Sequence, residues 1–236
     1  MFGARIIVRK SSRDEAEKPF WISFADLMTA LMVLFLVVMG VALLAVTKNV
    51  TEREKKEEQH RKDIELILDR FAAAASRYNG IKVDRNRQVI DFGDRARFDF
   101  RMYTLSPDQE DVLRQFVPEI INLANDKLGQ RILKRIVVEG YTDKTGSYLA
   151  NLNLSLQRSQ RVLCAMFATR GGNLLNDQQK ENVRTLFLVG GYSFNAAKDT
   201  DAESRRVEMR LEFLGVDEKR PTTPVMAGDY GECALR

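Results

Sequence analysis

The chain has one histidine, His60, and two cysteines, Cys164 and Cys233, too few for a disulfide framework and without the spacing of a metal site. The sequence leaves open a single bridge between the two cysteines, which would need an oxidising compartment, and a pair of free thiols. His60 stands in a charged segment and reads as a solvated side chain. Gly171-Gly172 and Gly190-Gly191 lack the strand, glycine-rich turn and helix of a phosphate loop, so neither pair is read as one. No nucleophile and base can be paired from the sequence, so neither enzymatic activity nor a cofactor is expected. Charge of one sign is also lacking. The 37 Lys and Arg and 33 Asp and Glu alternate along the chain without a clustered basic face, so no nucleic-acid partner is expected.

What the chain does have is one long apolar run. Residues 20–46 read as a transmembrane helix, because about 25 mostly apolar residues at about 1.5 Å each cover the roughly 30 Å hydrocarbon core. A cleaved signal is disfavoured by the length of the run and by the lack of an Ala-x-Ala-like site. Phe20 and Trp21 read as interfacial anchors. Lys and Arg flank both ends, from Arg5 to Lys18 before and from Lys48 to Lys62 after, so the positive-inside rule does not fix direction.

Inside this run lies one acid, Asp26. A carboxylate toward the middle of a spanning helix costs roughly 2.5 to 3.5 kcal/mol, and such residues by default serve an ion or proton path. Ser23, Thr29, Ala30, Val33 and Val37 fall on or near its face by helical spacing. Ser23 and Thr29 offer hydroxyls to a carboxyl group or a passing ion, and Ala30 lets a second helix approach. Removal from water favours the neutral acid, so a proton can bind where the wall is dry and leave where it is wet. The competing reading is an Asp near enough to the headgroups to stay hydrated.

Residues 1–19 read as a short soluble tail. Residues 47–79 read as a helical stalk, beginning with charges paired at helical spacing such as Glu52 with Lys56 and Glu58 with Lys62. An apolar stripe follows, from Ile64 through Ile67, Leu68, Phe71 and Ala75 to Tyr78. It is suited to a second copy of itself, to a membrane or partner surface, or to the neighbouring globular domain. Residues 80–214 are expected to form that domain, an α/β sandwich in an α+β chain. A hairpin near 81–92, a helix capped by Ser106-Pro107, a strand over 132–140, a helix near 146–170 and strands at 185–191 and 205–214 supply it. Residues 215–236 read as a flexible tail.

The second motif is Gly140-Tyr141-Thr142-Asp143-Lys144-Thr145-Gly146, followed by Asn151, Leu154-Ser155 and Arg158, and later by Ser204-Arg205-Arg206-Val207-Glu208. Arg158 can return from its helix to Asp143 at the strand end. A carboxylate beside a guanidinium suits a ligand carrying both an ammonium and a carboxylate. A surface salt bridge worth roughly 0–1 kcal/mol is the competing reading.

The stretch from Trp21 to Val38, with Ala25-Asp26-Leu27-Met28-Thr29-Ala30 at its centre, resembles the signature helix of MotB-type stator subunits. In that family the Asp carries the ion, which implies transport of protons or sodium by Asp26. Residues 142–158 resemble the peptidoglycan-binding motif of OmpA-like domains. That resemblance implies that Asp143 and Arg158 hold diaminopimelate, with Thr142, Asn151, Leu154 and Ser155 shaping the pocket and Arg206 supporting it. Ser159 stands where Ala usually follows the Arg, and Ser204 where Asn usually precedes the Arg pair. The combination implies a homodimer inside a ring of multi-span MotA-like subunits, residues 1–19 in the cytoplasm and the rest beyond the span in the periplasm, with residues 47–79 a possible plug. Ser23-Phe24-Ala25-Asp26-Leu27-Met28 is similar to the B subunits of Zorya anti-phage complexes. Flagellar stators, the alternative, more often carry Tyr or Phe around the Ala-Asp, and a static wall anchor is a third reading.

Overall fold

The computed structural model describes residues 13–221, 224 and 230–235, with side-chain detail from Trp21 onward, Ile22 excepted. Residues 1–12 of the expected tail, and the side chain of Phe20, lie outside the described residues. Two compact units divide the chain, Met1–Lys56 and Glu57–Arg236.

Helix α1, Arg13–Ala75, begins inside the segment read as a tail and continues through the apolar run. Among the described residues it is the one helix long and apolar enough to cross a membrane, with a mean hydropathy of 2.8 in its most apolar window and none of that window buried. Its hydroxyls turn inward on the backbone, Thr29 Oγ1 donating to Asp26 O at 2.8 Å and Thr47 Oγ1 to Leu43 O at 2.8 Å. Such bonds satisfy a polar group where water is scarce.

The last turns of α1 belong to the second unit. Ile67, Leu68, Phe71, Ala74 and Ala75 are buried in its core beside Phe92, Phe116 and Ile120. Of the three partners suited to the stripe, the globular domain takes it. Unit two therefore starts at Glu57, upstream of the expected boundary at 80.

The sheet runs β1 (Lys82–Asp84), β2 (Val89–Asp91), β5 (Val207–Phe213), β3 (Leu133–Gly140), β4 (Phe187–Gly191) in spatial order. β1 and β2 form the expected hairpin, Val83 opposite Ile90, while β3 and β4 run parallel at one edge. α2 (Pro107–Asn125) opens with a full capping box, Ser106 and Gln109 each accepting from the other's backbone N–H. α3 (Lys127–Ile132) leads into β3, and α4 (Tyr148–Met166) returns over β3 and β4. α5 (Asp177–Leu186) lies mostly in a stretch to which the sequence assigns no element, and it takes the first two residues of the strand expected at 185–191, the rest of which is β4. Its polar run Asp-Gln-Gln-Lys-Glu-Asn carries little apolar period, yet Asn176 and Gln179 close a second capping box. A short α6 (Asp201–Ser204) precedes β5.

Residues 215–221, 224 and 230–235 are tied down where a flexible tail is expected. Arg220 donates to the carbonyls of Leu133, Ala124 and Gly129 at 2.8–2.9 Å, and Cys233 is bonded to Cys164 of α4. The one guanidinium thereby ties the ends of α2 and α3 to the start of β3.

Candidate functional site

Two groups of residues carry the functional expectations, one in each unit. In the first, Asp26, Thr29, Ala30, Val33, Leu34, Val37 and Val38 line one shallow concavity along α1. The helical spacing read from the sequence holds for four of its neighbours. Ser23 does not line this concavity.

In the second unit the site is built at the C-terminal ends of β3 and β4, where α4 crosses them. Its closeness depends on two glycines. A Cβ on Gly140 would fall 1.9 Å from Ser155 O, and one on Gly191 2.6 Å from Ser155 Oγ. Ser155 Oγ donates to Leu152 O at 2.7 Å and accepts from Ser193 N at 3.1 Å, so it joins helix and loop. Asn151 Nδ2 donates to Thr145 O at 3.0 Å and braces the turn at Gly146, whose φ of 105° suits glycine. Leu154 is half-buried on α4.

Asp143 follows β3 and is only 4% exposed. Its Oδ1 accepts from Thr145 N at 3.0 Å, and its Oδ2 faces Arg205 Nη1 at 3.1 Å. Burial pushes the carboxyl up, but the Thr145 N–H and the Arg205 guanidinium outweigh it and hold Asp143 below the usual carboxylate range. Thr142 N donates to Ser193 O at 3.0 Å, while Thr142 Oγ1 is buried with no partner. An unpaired buried hydroxyl costs about 1–3 kcal/mol, so it marks a place where a ligand group can be received.

Arg158 is fully buried and binds backbone, not Asp143. Its Nη1 donates to Tyr141 O at 2.7 Å, its Nε to Met102 O at 2.9 Å and its Nη2 to Asp99 O at 3.2 Å. The guanidinium lies 5.0 Å over the Phe98 ring. Burial pushes Arg158 down to about 10, opposed by the Asp143 charge nearby. Asp99 and Met102 bound a tight turn, Met102 N donating to Asp99 O at 3.1 Å with Arg101 at φ 59°. Arg158 thus clamps a turn that holds Phe100 and Met102 half exposed to solvent beside the site.

Arg206, carried over from the motif, is drawn away from Asp143. Its Nε meets Glu208 Oε1 at 2.7 Å, and its guanidinium lies 4.3 Å over the Tyr141 ring. Glu208 and its cross-strand neighbours Asp91 and Glu139 put three carboxylates side by side on β2, β5 and β3. Like charges directly opposite destabilise a sheet. Cations separate them: Lys198 meets Asp91 at 2.7 Å, Arg87 and Arg206 pair with Glu208, and Arg210 meets Glu139 at 2.6 Å. Arg206 belongs to this network, and Arg205 is the arginine at Asp143. Neighbours just before a strand point to opposite sides, which is the signal that separates Arg205 from Arg206. No spacing rule in the sequence linked the turn at 99–102 to Arg158.

The family model described as membrane MotB of the proton-channel complex MotA/MotB matches residues 8–50. Zorya protein ZorB of Escherichia coli O139:H28 (strain E24377A / ETEC) is 45% identical over 224 residues, covering 93% of this chain and 91% of that protein. Among solved structures, the OmpA-like domain of FopA1 from Francisella tularensis subsp. tularensis SCHU S4 is 19% identical with a TM-score of 0.36, over 54% of this chain and 75% of that one. The periplasmic domain of MotB is 17% identical with a TM-score of 0.38, over 55% of this chain and 65% of that one.

Proposed function

Because this chain belongs to the Zorya ZorB family, we propose that it is the peptidoglycan-anchored, ion-conducting stator subunit of an inner-membrane anti-phage complex. The observation that carries this reading is Asp26, the only charged residue between Lys18 and Lys48. An acid in a spanning helix is costly, and such residues by default mark an ion or proton path. Two copies, inside a ring of multi-span MotA-like subunits, take up protons or sodium at Asp26 and drive relative rotation. Ser23 and Thr29 assist the ion, and Ala30 gives the close approach between helices.

The OmpA-like second unit holds the complex to the cell wall. Asp143 receives the ammonium of a diaminopimelate residue, the unpaired Thr142 hydroxyl lies beside it, and Arg158 fixes the turn that closes over the peptide. Asn151, Leu154 and Ser155 set the loop, and Arg206 braces the sheet beneath. This anchoring requires the second unit in the periplasm and the N-terminus in the cytoplasm. The Cys164–Cys233 bridge supports that direction, since disulfides persist in oxidising compartments.

Asp26→Asn, produced with its native partner subunit, tests the motor. Assembly and membrane insertion should be retained while protection against phage is lost. Full protection by Asp26→Asn would overturn ion carriage and leave a static wall anchor.

A further inference from the structure

A ligand that seats an ammonium on Asp143 brings its carboxylate with it, because the two groups of an amino-acid centre hang from one carbon. That carboxylate then lies within a few ångströms of Asp143, and like charges at such a distance repel unless a cation stands beside them. The arginines closest to the acid are engaged elsewhere. Arg158 is 0% exposed, and its Nε, Nη1 and Nη2 each donate to a backbone carbonyl. Arg205 is divided between Phe98 O and Asp143 Oδ2, both at 3.1 Å, so its charge already balances the acid. Arg206 pairs with Glu208, and Lys198 with Asp91.

Two other cations are brought to the acid by these same bonds. Arg158 joins Asp99 O and Met102 O to Tyr141 O, and Arg205 joins Phe98 O to Asp143. The turn at 98–102 is thereby sewn to the strand end that carries the acid. Arg101 is the third residue of the tight turn from Asp99 to Met102, and Lys144 directly follows Asp143. Both side chains are exposed, and among the described residues neither is paired with a carboxylate.

Arg101 also stands where glycine would fit more cheaply. Its φ of 59° lies in the left-handed region, which the third position of a tight turn can demand and which glycine adopts without strain. A charged side chain kept at such a position points to a use for the charge. Half-exposed Phe100 and Met102 flank it and offer an apolar wall to a methylene chain.

We propose that Arg101 and Lys144 receive the carboxylate of the diaminopimelate centre whose ammonium meets Asp143, and so select wall peptides in which that carboxyl is free and not amidated. The inference rests on the wall-binding reading above and adds to it the residues that read the acid. One cation comes from the turn and one from the strand end, so the carboxylate is met from two segments. An amide in its place carries no charge and gives these donors a weaker partner.

The full-length protein with its partner subunit, in lipid nanodiscs, is titrated with two synthetic peptides. One is L-Ala-γ-D-Glu-meso-diaminopimelate, and the other is the same tripeptide amidated at the carboxyl beside the free amine. The wild type should bind the acid form more tightly. Arg101→Gly and Lys144→Gln should each narrow that preference roughly threefold, the worth of an exposed ion pair, and together abolish it. Binding of the amide form should stay unchanged in both. Arg101→Gly should not lower the unfolding midpoint, since it relieves the positive φ, and Arg101→Lys should keep the preference. Equal binding of the two peptides by the wild type, or a preference that persists in the double variant, overturns the proposal. Persistence there with loss in Arg205→Gln would give the carboxylate to Arg205 instead. Asp143→Asn tells this failure from failure of the wall reading. Loss of both peptides in Asp143→Asn leaves the wall site standing whatever the preference, whereas full binding by Asp143→Asn, or no binding of either peptide by the wild type, overturns both.

Discussion

Arg205 Nη1 stands 3.1 Å from Asp143 Oδ2, so the acid at the end of β3 is paired with a cation from within its own chain. On the proposed reading, an incoming ammonium would share that carboxylate or displace the guanidinium. Asp143→Asn keeps the size of the side chain and removes the charge. It should reduce retention on isolated peptidoglycan at least tenfold, measured by co-sedimentation of the full-length protein.

The same pair sets a pH dependence. The folded-state value of Asp143 is lowered from its ordinary 3.8, so its contribution is complete above that value and is lost as the pH falls through the lower folded one. Arg205→Ala removes one of the interactions that lower it and should shift the acid limb of peptidoglycan binding upward. Co-sedimentation against pH reads this, with NMR titration of the Asp143 carboxyl carbon as the direct check. An unchanged acid limb would show that Arg205 does not tune the site.

Arg158 is expected to matter first for stability. It offers a planar fork to three carbonyls, which a lysine ammonium cannot span in the same geometry. Hydrogen bonds to a charged donor contribute about 1.5–3 kcal/mol each. Arg158→Lys should therefore lower the unfolding midpoint as well as peptidoglycan retention, whereas Asp143→Asn should affect retention more than stability. A midpoint unchanged in Arg158→Lys would return the residue to a purely ligand-facing role.

The contrast between these arginines shows what the sequence could convey. Motif spacing located Asp143, Asn151, Ser155 and Arg158 at one strand end, because strand, turn and helix have fixed rises. It could not say which arginine reaches the acid, since that depends on where β5 begins and on the Glu208 that draws Arg206 to the sheet. The apolar run around Asp26 was legible for the same reason of regular period. The stripe from Ile64 to Tyr78 fixed a buried helix face but not its partner, which only the core around Phe116 and Ile120 supplies. The helix α5 was not legible because its stabilising signal is a capping box and not a long apolar period.

The buried stripe makes α1 part of the fold after Glu57. Phe71 and Ile67 are fully buried, and truncation to Ala should cost about 3–5 kcal/mol for Phe71 and 2–5 kcal/mol for Ile67. In a solvated linker the same changes would stay within about 0.5 kcal/mol. Chemical denaturation of the purified protein separates the two. Deleting residues 50–78 to test for a plug would remove core residues, so a leak in that variant would report unfolding as well as gating.

The Cys164–Cys233 bridge closes a span of 69 residues, joining the chain's last residues to α4. On the chain-entropy account, closing a loop of that size stabilises by about 4 kcal/mol. Cys164→Ser with Cys233→Ser, or treatment with a reductant, should therefore lower the unfolding midpoint by well over 5 °C, since ~1 kcal/mol shifts a domain of this size by about 2–4 °C. The bridge also reports the compartment. In intact cells both cysteines should resist a maleimide until the cells are opened and reduced. Thiols that label after denaturation without reduction would place the second unit on the reducing side of the membrane, and with it the anchor away from the wall.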